Sequence, residues 1–378
     1  HEQIQIPVGV DVREGRSRKI IRGRHDPEGI VDLRGKGRAG GRTGVLHLAT
    51  NSKNQELQQS IASHFNNSHA QDAHEQDKIL YWCDANRAKL KAGINLKSEL
   101  GGLFTPLGGW LKPADLCANL LSHPNITVYT NMPVDSLIQR DNSWLIKVDK
   151  KPDSTYEFDA STYEFDAVVI ANAHHAKQFK QTQYLDLKPI RGQITYTHLE
   201  PQSMPTVKTC LCGDGYVAPP LTHNNENTLT FGATFSPKSS SSEALQEDNV
   251  NNLEMLSKLI EWPNQKNIEK ELIGRTSFRC STRDYLPFVG PVANSELMKD
   301  VFSRYRKNKY AIVDSTGQYH QNLFINVGHG SRGLAYTPIC AEIISSLITG
   351  EPLPVTQSLY KQLHPSRFLI RDLAQNKI

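Results

Sequence analysis

The strongest constraint on the fold is a glycine-rich run at residues 328 to 338 (GHGSRGLAYTP). It follows the apolar segment 323 to 327 (LFINV) and precedes a long apolar stretch, which predicts a β-strand, a turn and an α-helix. The first N–H groups of such a helix lack intrahelical partners, and the helix dipole adds positive potential, so the turn can bind an electron-rich ligand. A tight connection without a ligand is the alternative, because glycine-rich turns also serve that purpose.

Further segments with glycine or apolar signatures lie upstream of this turn. They are residues 101 to 114 (GGLFTPLGGWLKPA), 168 to 172 (VVIAN), 191 to 193 (RGQ), 213 to 217 (GDGYV) and 279 to 287 (RCSTRDYLP). In this order and spacing, the segments and the turn resemble the flavoenzymes of the D-amino acid oxidase and glycine oxidase type. Among these, the resemblance is greatest to the oxidoreductase half of the bifunctional enzymes that mature 5-methylaminomethyl-2-thiouridine at the wobble position of tRNA.

The resemblance runs from about Gly44 to residue 378 and implies an α/β (α+β) fold with FAD as cofactor. In that fold an FAD-binding Rossmann-like domain is interleaved with an antiparallel-sheet substrate domain. Residues 43 to 190 would contribute to both halves, and residues 191 to 320 would form the substrate domain. Residues 321 to 378 would return to the FAD domain and end in a helix with a basic tail. Independently, the alternation of apolar and polar residues from Arg191 onwards predicts antiparallel strands.

Residues 1 to 42 do not share the resemblance. Members of the family begin this half with a strand, a G-x-G-x-x-G turn and a helix, which hold the FAD pyrophosphate. Residues 35 to 40 (GKGRAG) match that pattern, but the apolar segment 44 to 48 follows without room for the helix and second strand, so we interpret the match as accidental. We expect residues 1 to 42 to be an atypical leader, disordered or non-native, and the Rossmann-like domain to be incomplete. Weak FAD binding and loss of FAD binding both remain open.

The overall composition excludes few classes of protein. The net charge of +4 permits a polyanionic partner without requiring one, and no apolar run approaches the roughly 18 residues that span a bilayer. The six cysteines are scattered without zinc-site spacing, so we predict no metal site and reduced thiols in a cytoplasmic protein. Two basic segments are candidate RNA contacts: residues 304 to 310, and the tail with Arg367, Arg371 and Lys377. A solvated surface is the alternative for both. The repeated heptapeptide STYEFDA, at 154 to 160 and 161 to 167, predicts a lengthened hairpin.

The resemblance also implies roles for particular residues. Arg279 takes the position that holds the substrate carboxylate, and Tyr216 takes that of an aromatic residue on the substrate side. The alternatives are an ion pair between Arg279 and Asp284, and a core position for Tyr216. The residues implied to bind the cofactor are Val134, Ala171, Asn172, Gly192, Gln193, His329, Gly330, Ser331, Arg332, Gly333 and Leu334.

The implied reaction is oxidative removal of the carboxymethyl group from 5-carboxymethylaminomethyl-(2-thio)uridine in tRNA, which gives the aminomethyl base and glyoxylate. The later methylation would need a separate or lost methyltransferase domain that uses S-adenosylmethionine. An oxidase of free glycine or sarcosine is one alternative, because it would use the same arginine and flavin. A non-catalytic remnant that has lost FAD is the other, because the pyrophosphate motif has no convincing counterpart.

Overall fold

The computed structural model describes residues 8–9, 40–68, 78–148, 162–223, 226–262, 265, 268, 271–313 and 317–378. The helices are α1 Ser52–Ser68, α2 Ala85–Ala92, α3 Pro113–Leu121, α4 Gln246–Leu259, α5 Ser295–Val301, α6 Gly333–Thr349, α7 Gln357–Leu363 and α8 Arg367–Ala374. The strands are β1 Val8–Gly9, β2 Gly40–Gly41, β3 Val45–Leu48, β4 Tyr81–Cys83, β5 Gly102–Thr105, β6 Trp110–Leu111, β7 Thr127–Val128, β8 Val134–Arg140, β9 Ser143–Val148, β10 Thr162–Phe165, β11 Val168–Ile170, β12 Lys188–His198, β13 Cys210–Cys212, β14 Tyr216–Val217, β15 Leu221–His223, β16 Glu226–Gly232, β17 Ile273–Ser281, β18 Phe288–Ala293 and β19 Tyr319–Val327.

The chain forms two compact units, each built from separate stretches of sequence. The first contains His1–Ser17, Leu121–Ile190 and Arg279–Ile378, and the second contains Arg18–Leu120 and Arg191–Phe278. Within the described residues, the chain therefore passes between the units near Leu120, Ile190 and Phe278. The predicted domain boundaries stay predictions.

The second unit is organised around one sheet with the strand order β17-β12-β16-β14-β13-β3-β5-β4, and β15 pairs with β16. Most neighbouring strands for which a register is described are antiparallel, whereas β3 and β13 run parallel, with Leu46 opposite Leu211. Alternate residues of these strands point into a core that includes Leu46, Leu211 and Phe231, all fully buried. Helix α4 packs on β14 and β16 and adds Leu256 to that core.

The first unit contains a sheet with the order β11-β19-β18, in which β11 and β19 are parallel. Their side chains join Phe288 of β18 in an apolar core, and α6 packs on β18 and β19. A second sheet, β10-β9-β8, is tied to β19 because the indole Nε1 of Trp144 donates to the backbone carbonyl of Gln321 at 2.8 Å. Among the described residues, no helix is long and apolar enough to cross a membrane, and no group of His, Cys, Asp and Glu side chains could hold a metal ion.

Several local predictions can be compared with these elements. The antiparallel strands after Arg191 and the strand, turn and helix around residues 323 to 338 are confirmed. The second copy of the duplicated heptapeptide lies partly in β10, which pairs with β9, and the first copy lies outside the described residues. The third glycine of the GKGRAG match, Gly40, pairs with Leu111 in β2 and does not begin a helix, in agreement with an accidental match. The other residues of that match are outside the described part.

Candidate functional site

The candidate cofactor site in the first unit lies at one edge of the β11-β19-β18 sheet. Because β11 and β19 are parallel, with Ile170 opposite Ile325, their carboxyl ends meet at the same edge. Asn172 follows β11 there, and His329 follows β19. The side-chain Oδ1 of Asn172 and Nε2 of His329 are both buried, and neither has a hydrogen-bond partner among the described residues. Since buried polar atoms are normally paired, this edge is suited to a polar ligand.

The turn after β19 has the backbone that its glycines require. Gly328 has φ +84, and a Cβ at this position would lie 2.7 Å from Cγ2 of Thr282, so only glycine permits this close packing. Gly330 has φ +59, but a Cβ there would meet only Oγ of Ser281 at 3.7 Å, so the surface above it is open. Gly333 then begins α6.

The next residues of the turn are exposed. Ser331, Arg332 and Leu334 lie on the surface, and one guanidinium nitrogen of Arg332 donates to the hydroxyl of Tyr336 at 3.2 Å. This contact holds Arg332 along the side of its own helix. The predicted cofactor contacts of these three residues stay predictions.

The strand that carries Arg279 ends against the same turn. Ser281, the last residue of β17, forms an antiparallel bridge with His329. Arg279 is two residues before that bridge and is partly buried. The structure therefore brings the predicted carboxylate-binding residue and the predicted flavin-binding turn together within one unit, although fifty positions separate them in the sequence.

Asp284, the alternative partner of Arg279, is bound by a different arginine. Nη2 and Nε of Arg367 donate to the two carboxylate oxygens of Asp284 at 2.8 and 3.0 Å. Partial burial opposes ionisation of Asp284, but the hydrogen bonds and charge of Arg367 outweigh it and hold the pKa of that carboxyl below its usual value. Arg367 also donates to the carbonyls of Leu286 and Pro287 at 2.7 and 3.0 Å. The loop after Arg279 is thus held by the first residue of α8.

These contacts distinguish Arg367 from Arg371 and Lys377, the other two tail cations that are candidate RNA contacts. The guanidinium of Arg367 lies over the rings of Phe288 and Phe368, 4.3 and 4.6 Å from their centroids. Arg367 is part of the fold, because its charge and hydrogen-bonding capacity are used inside the first unit. Arg371 and Lys377 are exposed.

His364, three residues before Arg367, makes the stability of this region depend on pH. Burial, with a smaller contribution from Arg367, lowers the pKa of His364 from 6.5 to about 4. Above pH 6.5 the imidazole is neutral in both the folded and the unfolded state, so its full contribution to the unfolding free energy is present. Below pH 6.5 the unfolded chain binds the proton first, and stability is lost until about pH 4, by roughly 3 kcal/mol in total.

We therefore expect His364→Asn to reduce the loss of unfolding free energy between pH 7 and pH 5 by about 2 kcal/mol, measured by urea unfolding at both pH values. His123 provides a matched control, because its Nδ1 accepts a backbone N–H two residues on at 3.2 Å, as that of His364 does, but its ring is exposed. Equal pH dependence in the wild type and His364→Asn would show that His364 does not titrate as proposed.

Two further predicted cofactor residues lie in the first unit. Val134 begins β8, and its carbonyl accepts from the Nε2 of Gln178 at 2.9 Å. Ala171 is exposed directly after β11. The sequence did not reveal two non-glycine residues with positive φ beside the site, Ala173 at +56 and Tyr285 at +61. Such backbones are uncommon outside glycine and often occur at binding sites.

In the second unit, Gly192 and Gln193 are buried within β12. The side-chain oxygen of Gln193 accepts from the backbone N–H of Leu245 and the hydroxyl of Thr276, at 2.8 and 2.9 Å. Its amide nitrogen donates to Leu245 O and to Oδ1 of Asn249, both at 2.8 Å. The side chain therefore joins β12 to the loop before α4, to α4 itself and to β17. A role in FAD binding stays a prediction for this pair.

Gln193 belongs to a larger buried network centred on Arg191. Arg191 is 1% exposed and forms a short ion pair with Asp248. Its Nε donates to Ser241 O at 2.9 Å and its Nη2 to Glu243 O at 2.8 Å. All four residues lie in the second unit, so this arginine organises the loop that precedes α4.

Tyr216 lies in the same unit, on β14, where it pairs with Cys212 and Gly232. It is partly exposed, whereas its neighbour Val217 is fully buried. Because neighbouring side chains of a strand point to opposite faces, Tyr216 faces away from the core that Val217 enters. Its role on the substrate side stays a prediction.

Comparison with known proteins now defines the family. The profile of the family described as FAD dependent oxidoreductase matches residues 34–347. The chain belongs to this family. FAD is the cofactor of the family, and the predicted family, fold class and cofactor are confirmed. The edge with Asn172 and His329 fits a polar cofactor, because a buried polar atom of each side chain has no hydrogen-bond partner among the described residues.

Curated relatives give a more specific likeness. The chain is 35% identical over 339 residues to the tRNA 5-methylaminomethyl-2-thiouridine biosynthesis bifunctional protein MnmC of Pseudomonas fluorescens Pf-5, with 88% of this chain and 48% of that protein covered. It is 34% identical to MnmC of Pseudomonas syringae pv. tomato DC3000, covering 87% of this chain and 47% of that protein. The chain thus spans about half the length of these relatives.

Solved structures show the same fold. Glycine oxidase from Geobacillus kaustophilus superimposes with a TM-score of 0.63 at 16% identity, over 87% of this chain and 76% of that one. Iminodiacetate oxidase from Chelativorans sp. BNC1 superimposes with a TM-score of 0.61 at 18% identity, over 88% and 79%.

Proposed function

We propose that the chain is the oxidoreductase of tRNA wobble-uridine modification, which removes the carboxymethyl group of 5-carboxymethylaminomethyl-(2-thio)uridine as glyoxylate in the cytoplasm. The observation that carries this proposal is the likeness to the MnmC proteins over 88% of the chain. The bridge between Ser281 and His329 supports it, because it joins the Arg279 segment to the turn that is predicted to bind the cofactor.

The role of the protein in this reaction is mainly to orient the substrate. FAD, when bound, supplies the acceptor for the hydride that leaves the carboxymethyl carbon, and hydrolysis of the resulting C=N bond releases glyoxylate and the aminomethyl base. Arg279 would hold the carboxylate through two parallel hydrogen bonds, which aligns the adjacent carbon. By resemblance, Tyr216 would line the substrate side. No acid or base is needed to activate the C–H bond when the amine is neutral.

Burial shifts the pKa values of His329 and Cys280 and keeps both side chains uncharged at neutral pH. Burial lowers the pKa of His329, so its imidazole is neutral at pH 7, and its Nε2, which has no partner among the described residues, can pair with a polar cofactor atom. Burial raises the pKa of Cys280 to about 11, although the Gly328 N–H opposes this change. The thiol is therefore protonated at neutral pH, and we assign it no nucleophilic role.

The relatives are bifunctional and about twice as long as the chain. We propose that the methylation that completes their product belongs to an S-adenosylmethionine-dependent methyltransferase domain outside these residues. Accordingly, the expected product of this chain alone is the aminomethyl base, and added S-adenosylmethionine should leave it unchanged.

The proposal is tested by the absorbance spectrum of the purified chain, before and after incubation with FAD, followed by an assay for glyoxylate. We expect glyoxylate from tRNA that carries carboxymethylaminomethyluridine and none from tRNA with unmodified uridine. Faster turnover of free glycine or sarcosine would identify an amino acid oxidase instead. Failure to bind added FAD in a folded chain would identify a non-catalytic remnant.

A further inference from the structure

The basic segment 304 to 310 and the end of the basic tail form one surface in the first unit. Residues 303 to 306 form a short 3-10 turn after α5, and this turn contacts α8. The Nε of Arg306 donates to the backbone carbonyl of Ile378 at 2.9 Å. Beneath this contact, Phe302 packs in one cluster with Leu369 and Leu373 of α8. Arg306 and the last residues of the chain therefore lie side by side.

This surface is strongly positive and open. Its exposed cations are Arg304, Arg306, Lys307, Lys309 and Lys377, and we call this set the basic surface. Residues 301 to 313 and 373 to 378 contain no Asp or Glu. Three acidic residues border these ranges in the sequence: Asp300, which is exposed, Asp314, which lies outside the described residues, and Asp372, which is buried and paired with Arg283 at 2.8 Å. Most of the positive charge is therefore available to a partner.

An exposed aromatic side chain accompanies these cations. The ring of Tyr310 is 79% exposed, and Nζ of Lys309 lies 5.0 Å from its centroid. Cations that neutralise phosphates, next to an aromatic face on which a base can stack, are the features that bind RNA without reading its sequence. An anionic membrane fits less well, because the apolar residues of α8, Phe368, Leu369 and Leu373, are buried and cannot insert.

We propose that the basic surface binds the phosphate backbone of tRNA, with Tyr310 stacking on an unpaired base. The choice of tRNA rests on the proposed function, but binding can be measured without flavin or turnover. Arg367 is not part of this surface, since its guanidinium is bound to Asp284. Arg306 is left unchanged in the test because it also contacts Ile378.

The test compares two fourfold variants by fluorescence anisotropy with a labelled tRNA transcript, over a series of salt concentrations. In the first, Arg304, Lys307, Lys309 and Lys377 are replaced by Gln. In the matched control, the exposed lysines Lys53, Lys238, Lys258 and Lys361 are replaced by Gln, so both variants lose the same charge. We expect the first variant to bind roughly tenfold or more weakly, with a salt slope reduced by about one unit for each lost phosphate contact. The control should keep most of the affinity.

Equal losses in both variants would overturn the proposal, because they would reflect net charge alone. Unchanged affinity and slope in the first variant would overturn it as well, as would tighter binding to phosphatidylserine vesicles than to tRNA. For the stacking contact, Tyr310→Ser should weaken tRNA binding roughly fivefold and leave heparin binding unchanged; no effect on tRNA would exclude stacking by Tyr310. If the unaltered chain binds tRNA but releases no glyoxylate, weaker binding by the first variant would still support the surface, while the missing glyoxylate would contradict the catalytic proposal.

Discussion

Arg191→Met is expected to lower the unfolding free energy of the second unit by about 3 to 5 kcal/mol. The guanidinium is almost fully buried and paired with Asp248, whose side chain is only 10% exposed. Methionine fills similar volume but leaves the Asp248 carboxylate and the Ser241 carbonyl without their guanidinium donor, while the Glu243 carbonyl keeps the Thr276 hydroxyl at 3.2 Å. Urea unfolding followed by tryptophan fluorescence measures this loss.

The double variant Arg191→Met with Asp248→Leu separates the cost of an unpaired Asp248 carboxylate from the cost of the lost hydrogen bonds to backbone carbonyls. Removing both charges eliminates the unpaired carboxylate, so part of the lost stability should return. Arg275→Met is the matched control, because Arg275 is exposed on the neighbouring strand β17. A loss below about 1 kcal/mol in Arg191→Met would show that the network contributes little to stability.

Arg279→Ala is expected to lower kcat/KM on carboxymethylaminomethyl tRNA by about one to two orders of magnitude. The lost charge-assisted hydrogen bonds to the substrate carboxylate account for roughly 1.5 to 3 kcal/mol of transition-state stabilisation. Arg279→Lys should recover only part of the loss, because an ammonium group cannot form the same two parallel hydrogen bonds. The assay is glyoxylate release by FAD-replete protein.

A thermal melt distinguishes this role from a structural one. Asp284 is bound by Arg367, so loss of Arg279 does not remove the arginine that holds this carboxylate. We therefore expect Arg279→Ala to melt close to the wild type and to keep its FAD. Full kcat/KM in the variant would refute the carboxylate role, and a collapsed melt would favour a structural role for Arg279.

Prediction from sequence succeeded where the signal is local. The strand before Gly328, the turn and helix α6 follow from a short apolar run, glycines and a helical apolar stretch within thirty residues. The recurrence of Leu57, Ile61 and Phe65 every four residues predicts a packing helix between Asn54 and Phe65, and helix α1 lies there. The predicted packing face is partly wrong, because Leu57 is 60% exposed whereas Ala62 is buried. Periodicity predicts a helix and cannot by itself specify which side of it meets a partner.

The sequence by itself determined the family, the FAD cofactor and the local elements of this protein. Glycine turns and apolar strands are recognised from neighbouring residues, and the order of the motifs is read directly along the chain. Only the tertiary structure decided which distant side chains meet. Asp284 binds Arg367, 83 positions away, and the side-chain amide of Gln193 donates to the carbonyl of Leu245 and to Oδ1 of Asn249. The basic segment 304 to 310 and the end of the tail become one surface through Arg306 and Ile378. A charged or polar side chain has several possible partners of similar chemistry, and folding selects one of them by packing the apolar residues that surround it.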